Sequence, residues 1–151
     1  MIRIIAVGKK HEGWIQAGLE RYQKRLRRPF DIEWVLLPHS RSEDTEAREE
    51  ESQAILSRVD SSTYLVLLDE TGVNIDSPAL SEKLEAIFNS SRSVTVVIGG
   101  AYGVNGTLME RADFIWSLSK LVFPHQLVRL LLVEQLYRAQ EIARGGSYHH
   151  I

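Results

Sequence analysis

Val94-Thr95-Val96-Val97-Ile98 runs directly into Gly99-Gly100-Ala101-Tyr102-Gly103. A short β-branched run closed by glycine reads as a strand, here Val94 to Gly99, and the glycines mark where it ends. Four other runs share the pattern: Ile2 to Gly8, Asp31 to Pro38, Tyr64 to Asp69 and Phe114 to Ser117, each ending near a Gly, Pro or Ser. Between these five strands, helical periodicity covers about residues 12 to 27, 43 to 58 and 77 to 90, a short turn near 107 to 112, and a last helix from about 126 to 144. Strands alternating with helices predict an α/β domain on a mostly parallel sheet. With 151 residues, no internal repeat and no Pro/Gly/Ser-rich linker, the reading is one domain over 1–151.

Composition narrows the class. Hydrophobic residues make up 44% and charged residues 25%, which suits a globular core. The absence of cysteine removes disulfide frameworks, thiolate zinc sites and cysteine nucleophiles, and makes a reducing cytoplasm the natural home. Ile4 to Val7 is too short for a signal-peptide core, and no run approaches the ~18 apolar residues of a membrane span. A soluble, cytoplasmic protein is expected, with no membrane partner.

Two segments stand apart. Glu43, Asp44, Glu46, Glu49, Glu50 and Glu51 crowd residues 41 to 53 with little apolar periodicity, as in a solvated helix face or a mobile flap. By contrast, Leu127, Val128, Leu130, Leu131, Leu132, Val133, Leu136 and Tyr137 cover nearly the whole circumference of the last helix. Such a helix is either sandwiched within one chain or shared with a partner, and in so small a domain the expectation is a two-fold homodimer. Glu134 and Arg138, four apart, are placed to pair on its polar side.

Ligands of open α/β sheets lie beyond the carboxyl ends of the strands. Three loops there are unusual: Leu68-Asp69-Glu70-Thr71-Gly72, Ile98-Gly99-Gly100-Ala101-Tyr102-Gly103, and Leu118-Ser119-Lys120-Leu121-Val122-Phe123-Pro124-His125. The G-G-x-x-G spacing permits close backbone approach. It is not a dinucleotide fingerprint, it lacks the Lys-Ser/Thr of a phosphate loop, and Val104-Asn105-Gly106 is not expected to open a helix as those motifs require. Ser117, Ser119, His125 and Asp69 lack the G-x-S-x-G elbow of a hydrolase. The five histidines (11, 39, 125, 149, 150) show no metal-ligand spacing beyond the terminal pair, so no metal is expected.

The net charge of −2 argues at first against a nucleic-acid partner. Taken by segment it is uneven: +6 over residues 1 to 30, −10 over 31 to 113 and +2 over 114 to 151. Arg21, Lys24, Arg25, Arg27 and Arg28, with Tyr22 among them, are expected on the first helix. Of the 18 basic residues 13 are Arg, the side chain that grips phosphate bidentately. The tail Arg144-Gly145-Gly146-Ser147-Tyr148-His149-His150 adds rings able to stack on an unpaired base.

Val66-Leu67-Leu68-Asp69, Ile98 to Gly103, Trp116-Ser117-Leu118-Ser119, Pro124-His125-Gln126-Leu127-Val128-Arg129 and Glu134-Gln135-Leu136-Tyr137-Arg138-Ala139, with the terminal Tyr148-His149, closely resemble the ribosomal RNA large-subunit methyltransferase H family. The likeness runs from Ile5-Ala6-Val7-Gly8-Lys9, through Trp14 and Tyr22, to the last residues. It implies a SPOUT-class fold, a parallel sheet flanked by helices with a C-terminal trefoil knot, working as a homodimer. It further implies S-adenosyl-L-methionine as methyl donor and N3 of a pseudouridine in 23S rRNA as acceptor, with the assembled ribosome as substrate. Carried over by motif, Leu68, Gly99, Leu118, Ser119, Lys120, Leu121, Val122 and Phe123 line the cofactor pocket.

On this resemblance, catalysis falls to Tyr148, His149 and Arg138. The methyl is already activated, so the protein must align N3 with it and help the weakly acidic imide lose its proton. Tyr148 and His149 would hold the base, with His149 as proton acceptor because its reference pKa of ~6.5 leaves it largely neutral at pH 7. Arg138 would neutralise a phosphate or the charge developing on a pyrimidine carbonyl. In the family a basic residue commonly follows Tyr-His; here His150 and Ile151 do, which puts the strength of tail-to-RNA contact in question. A ribosome-binding dimer without turnover and a SPOUT enzyme acting on another RNA remain as rival readings.

Overall fold

Each of the five apolar runs becomes a strand of one sheet. The computed structural model describes residues 1–150. In it β1 (Ile2–Val7), β2 (Ile32–Leu37), β3 (Tyr64–Val73), β4 (Val94–Ile98) and β5 (Phe114–Trp116) lie parallel in the order β2-β1-β4-β3-β5. The connecting helices are α1 (Gly13–Gln23), α2 (Asp44–Leu56), α3 (Ser77–Asn89), α4 (Gly106–Arg111) and α5 (His125–Ala143). Register is even in the centre: Ile5 pairs with Val35 on one side and Val97 on the other.

Alternation along the strands sorts the core into two layers. Ile2, Ile4, Ala6, Val66 and Val96 meet Ile15 and Leu19 of α1, Leu80 and Leu84 of α3, and Leu132, Val133 and Leu136 of α5. Ile5, Val7, Leu65, Leu67 and Val97 face Ile55 of α2 and Leu108 of α4. Both sheet faces are therefore covered, which is why the strands read as continuous apolar runs. Each fully buried aliphatic side chain contributes about 1.5–3 kcal/mol. α1 and α5 pack closely, since a Cβ on Gly18 would stand 2.9 Å from Leu130 Cδ1.

The charged segment 41 to 53 is helical, and its weak pattern has a cause. The covered residues of α2 are Ala47, Glu51, Ser52 and Ile55, one helical face on which two of the four are polar. The acidic residues Glu43, Asp44, Glu46, Glu49 and Glu50 are solvated as expected, whereas Glu51 is buried.

Three local readings need correction. Strand β3 does not stop at Asp69 but continues to Val73 through an irregularity between Leu68 and Val73. It is kept close to β5 by Gly72, where a Cβ would lie 2.5 Å from the Ile115 carbonyl oxygen. Helix α1 ends at Gln23, so only Arg21 of the basic cluster lies on it and Arg25, Arg27 and Arg28 follow in a turn. Leu26 and Phe30 draw that turn inward to burial, and the Arg27 N–H donates to Gln140 Oε1 at 2.6 Å. Finally, Asn105 and Gly106 do open a helix: Asn105 Oδ1 accepts the Leu108 N–H at 2.9 Å and caps α4. Among the described residues no helix is long and apolar enough to cross a membrane.

Candidate active site

The loops beyond the carboxyl ends of β4 and β5, together with the irregular stretch of β3 after Leu68, enclose a cavity of about 560 Å³, a volume suited to a cofactor-sized ligand. Its wall comprises Leu68 to Glu70, Ile98 to Val104, Trp116 to Ser119 and Leu121 to Phe123, with Arg48, His125 and Val128 at the margins. Leu68, Gly99, Leu118, Ser119, Leu121, Val122 and Phe123 are brought together on this wall, whereas Lys120 is exposed and is not part of it. The glycine turn closes with the Gly103 N–H donating to the Gly100 carbonyl at 3.1 Å. Gly103 has φ +78° with open space where a Cβ would be, so the turn favours glycine and leaves the cavity clear. Ser117 Oγ donates to the Ser119 carbonyl at 2.8 Å, and Ser119 Oγ accepts the Leu121 N–H at 3.0 Å. Both hydroxyls brace their own loop, so the hydrolase arrangement has no geometric support.

Sequence reading missed the support that α2 gives the glycine turn. Arg48 Nε donates to the Tyr102 carbonyl at 2.8 Å, Ser52 Oγ accepts the Asn105 N–H at 2.9 Å, and Glu49 Oε2 accepts from Asn105 Nδ2 at 3.1 Å. Glu51 Oε1 packs against the Gly100 backbone. The signal was present as four polar residues at 48, 49, 51 and 52 but was hidden among their acidic neighbours.

Behind the cavity stands Arg129, 1% exposed. Its guanidinium donates to the carbonyls of Val7 (3.0 Å), Gly8 (3.1 Å) and Lys10 (3.0 Å), and Nη1 lies 3.2 Å from His11 Nδ1. It ties the start of α5 to the end of β1. Desolvation, and then the Arg129 charge, holds His11 and His125 below the usual histidine range; His39 lowers His125 further, while Glu51 and the Gly99 backbone pull it back up. Both rings should titrate below 6.5 in a proton NMR series. Because the unfolded chain protonates first, their contribution to stability falls away as pH drops from about 6.5 through the folded values. Titration at or above 6.5 would contradict the arrangement.

The tail forms a second cluster. Arg138 Nε donates to Glu134 Oε1 at 3.0 Å, the pairing expected from their spacing, and that bond, the largest influence, raises the guanidinium pKa. Its Nη1 lies 3.0 Å from His149 Nδ1, and the guanidinium carbon stands 4.7 Å above the Tyr148 ring. Tyr148 meets Tyr137 edge-on at 4.8 Å, and Tyr137 meets Tyr22 at 5.7 Å. Burial first, then the hydrogen bond to Tyr22, pushes the Tyr148 hydroxyl up to about 12, so it is protonated at neutral pH. Arginine only donates, so His149 Nδ1 accepts and the ring carries its proton on Nε2. The structure therefore brings Arg138, Tyr148 and His149 together, but not with the cavity. His125 and Arg138 are both on α5, and thirteen residues of helix span roughly 20 Å. Ile151 lies outside the described residues.

Comparison with known proteins bears on this split arrangement. A family model described as a predicted SPOUT methyltransferase matches residues 1–149. The chain belongs to the SPOUT methyltransferase family. Proteins named ribosomal RNA large subunit methyltransferase H are similar to this SPOUT chain over nearly its full length. That of Acetivibrio thermocellus is 40% identical over 156 residues, covering 98% of each chain. That of Methylobacillus flagellatus is 40% identical over 152 residues, covering 98% of this chain and 97% of its own, and that of Coxiella burnetii is 36% identical over 152 residues, covering 98% of each. The parallel sheet flanked by helices is consistent with that family.

Proposed function

We propose that the protein is a homodimeric, S-adenosyl-L-methionine-dependent methyltransferase acting on N3 of a pseudouridine in 23S rRNA of the assembled cytoplasmic ribosome. The observation that carries this reading is the pairing of a glycine-edged cavity with a docked Arg138, Tyr148 and His149 cluster, in a chain whose relatives bear the name of a ribosomal RNA methyltransferase. The cavity fits the cofactor. It offers backbone groups around Gly99 and Ser119, apolar walls at Leu68, Leu118 and Phe123, and opposite charges at Arg48 and at Asp69 and Glu70. The C-terminal knot is carried by the family resemblance.

The separation of roughly 20 Å along α5 favours a site completed by a second copy. Trp14 (60% exposed), Leu121 (72%) and Val122 (79%) leave an apolar surface at the start of α5, where the Glu12 N–H donates to Gln126 Oε1 at 2.9 Å. Leu127, Val128, Leu130 and Leu131 are only partly covered on the same helix. A two-fold pairing of α5 against α5, antiparallel, buries this surface and carries the tail of one copy toward the cavity of the other. The exposed Arg25, Arg27 and Arg28 lie beside the tail, because Gln140 Nε2 donates to the Arg25 carbonyl at 3.0 Å while its Oε1 holds Arg27 N–H. They supply phosphate contacts next to the reacting base.

The cofactor supplies an activated methyl group; the residues orient the acceptor and manage its proton. Tyr148 and His149 bracket the base. As docked, His149 offers an N–H at Nε2, and its acceptor nitrogen is occupied by Arg138. Proton acceptance from N3 then requires Arg138 to turn from His149 to an RNA phosphate or to the anionic carbonyl of the reacting base, which is where its charge does most for the transition state. Mapping methylated nucleotides in ribosomes tests the reading. A strain lacking the protein should lose the N3-methylpseudouridine signal and regain it with the wild-type chain. An unchanged signal in that strain overturns the substrate assignment.

A further inference from the structure

Glu51 is buried with no Lys or Arg paired to it among the described residues; its ionisable basic neighbours are imidazoles, His39 and His125. At 6% exposure its Oε2 accepts the Ser40 N–H at 2.9 Å and lies 4.0 Å from His39 Nδ1, while Oε1 has no hydrogen-bond partner among the described residues. Oε1 sits against Gly100, in the place where any other residue would carry its Cβ. Gly100 in turn lines the cavity. The buried Arg129 directs its Nη donors at the carbonyls of Val7, Gly8 and Lys10 and forms no ion pair among the described residues. A carboxylate taken out of water without a cation is costly, and structures that keep one generally pair it. Among the described residues of the cavity wall Arg48 is the one formal cation, set against Asp69 and Glu70, so the wall is already net anionic and Glu51 behind Gly100 adds a further negative charge.

We infer that Glu51, acting across Gly100, is a specificity-determining residue that favours the sulfonium form of the cofactor over its neutral thioether product. The inference rests on the cofactor reading above. As the methyl leaves sulfur for N3, the carbon–sulfur bond breaks with its electron pair remaining on sulfur. The positive charge is lost there, and the N3 proton passes to the base or to solvent. The cavity thereby loses the cation that complements Glu51, and the product is held less firmly than the donor. Glycine at position 100 is what lets the carboxylate approach, and the burial of Glu51 limits screening by salt.

Calorimetry on the full chain with S-adenosylmethionine and S-adenosylhomocysteine tests this. A unit charge acting over a distance on the order of 10 Å at an effective dielectric of ~20 changes an equilibrium roughly tenfold. Glu51→Gln should therefore lower the sulfonium-to-thioether affinity ratio roughly tenfold, almost wholly by weakening the sulfonium ligand, and Glu51→Asp should hold the ratio within about twofold of wild type. His39→Lys places a permanent cation beside Glu51 from a side chain that is 67% exposed, and should shift the ratio in the same direction several-fold without disturbing the core. If Glu51→Gln does not fold, His39→Lys decides alone. Equal weakening of both ligands, or a ratio that does not move, overturns the inference and leaves the cofactor reading intact. Failure of the wild-type chain to bind either ligand overturns both.

Discussion

Two inactive variants mixed together should recover roughly a quarter of wild-type methylation, because random association makes about half of the dimers mixed and each mixed dimer holds one complete site. The variants are Arg138→Ala, which removes the guanidinium from the tail cluster, and Gly99→Val, which drives a side chain toward Val104 Cγ1, 2.8 Å from where its Cβ would stand. Each alone should lose on the order of 100-fold in rate, the scale of removing one preorganised charge-stabilising group or misaligning bound reactants. The measurement is methyl incorporation into ribosomes after co-refolding of the two chains. Were the cavity and tail of one chain to serve the same site, every mixed dimer would carry two broken sites and the mixture would stay inactive. Recovery thus reads out the separation along α5 directly.

Replacing Arg129 by methionine should cost about 3–5 kcal/mol of stability, read from urea denaturation. The side chain fits the space left by the arginine stem, so packing changes little. What is lost is satisfaction of the carbonyls of Val7, Gly8 and Lys10, each worth about 1–3 kcal/mol when left buried and unpaired. Since domains of this kind have about 5–15 kcal/mol in hand, the variant should be poorly soluble at growth temperature. Arg129→Lys should recover only part of the loss, because an ammonium cannot reproduce a planar fork that spans three acceptors. A loss below about 1 kcal/mol for the methionine variant would show that water replaces the guanidinium at little cost.

The sheet was readable because strands covered on both faces must be largely apolar, as in Ile2 to Val7 and Val94 to Ile98, each of which holds a single polar residue, Arg3 and Thr95. Three of the four corners of the cavity were readable for a different reason: a glycine turn alone is ordinary turn chemistry, but three unusual segments gathered at the carboxyl edge of one open α/β sheet lie where such sheets hold their ligands. The fourth, α2, was not. Its covered face carries Glu51 and Ser52 beside Ala47 and Ile55, so hydrophobic periodicity vanishes where the helix does most for the site. Arg129 was equally opaque, since a charged residue on a helix normally marks its solvent side, and only the three-dimensional path of residues 7 to 10 explains its burial. The basic cluster looked helical because long polar side chains suit a helix; the inward pull of Leu26 and Phe30 ended α1 earlier. The distance between the cavity and the tail, in contrast, was available from the length of the last helix alone.

Gln140 bonds to both edges of the basic turn, to the Arg27 N–H and the Arg25 carbonyl, from the helix that also carries Arg138. The conformational entropy of fixing that turn is therefore spent when the chain folds and not when it meets RNA. A protein of 151 residues has little surface with which to offset an ordering cost at each encounter. Its guanidinium groups stand on a backbone already held in place, so that binding an RNA phosphate needs no further ordering of the turn.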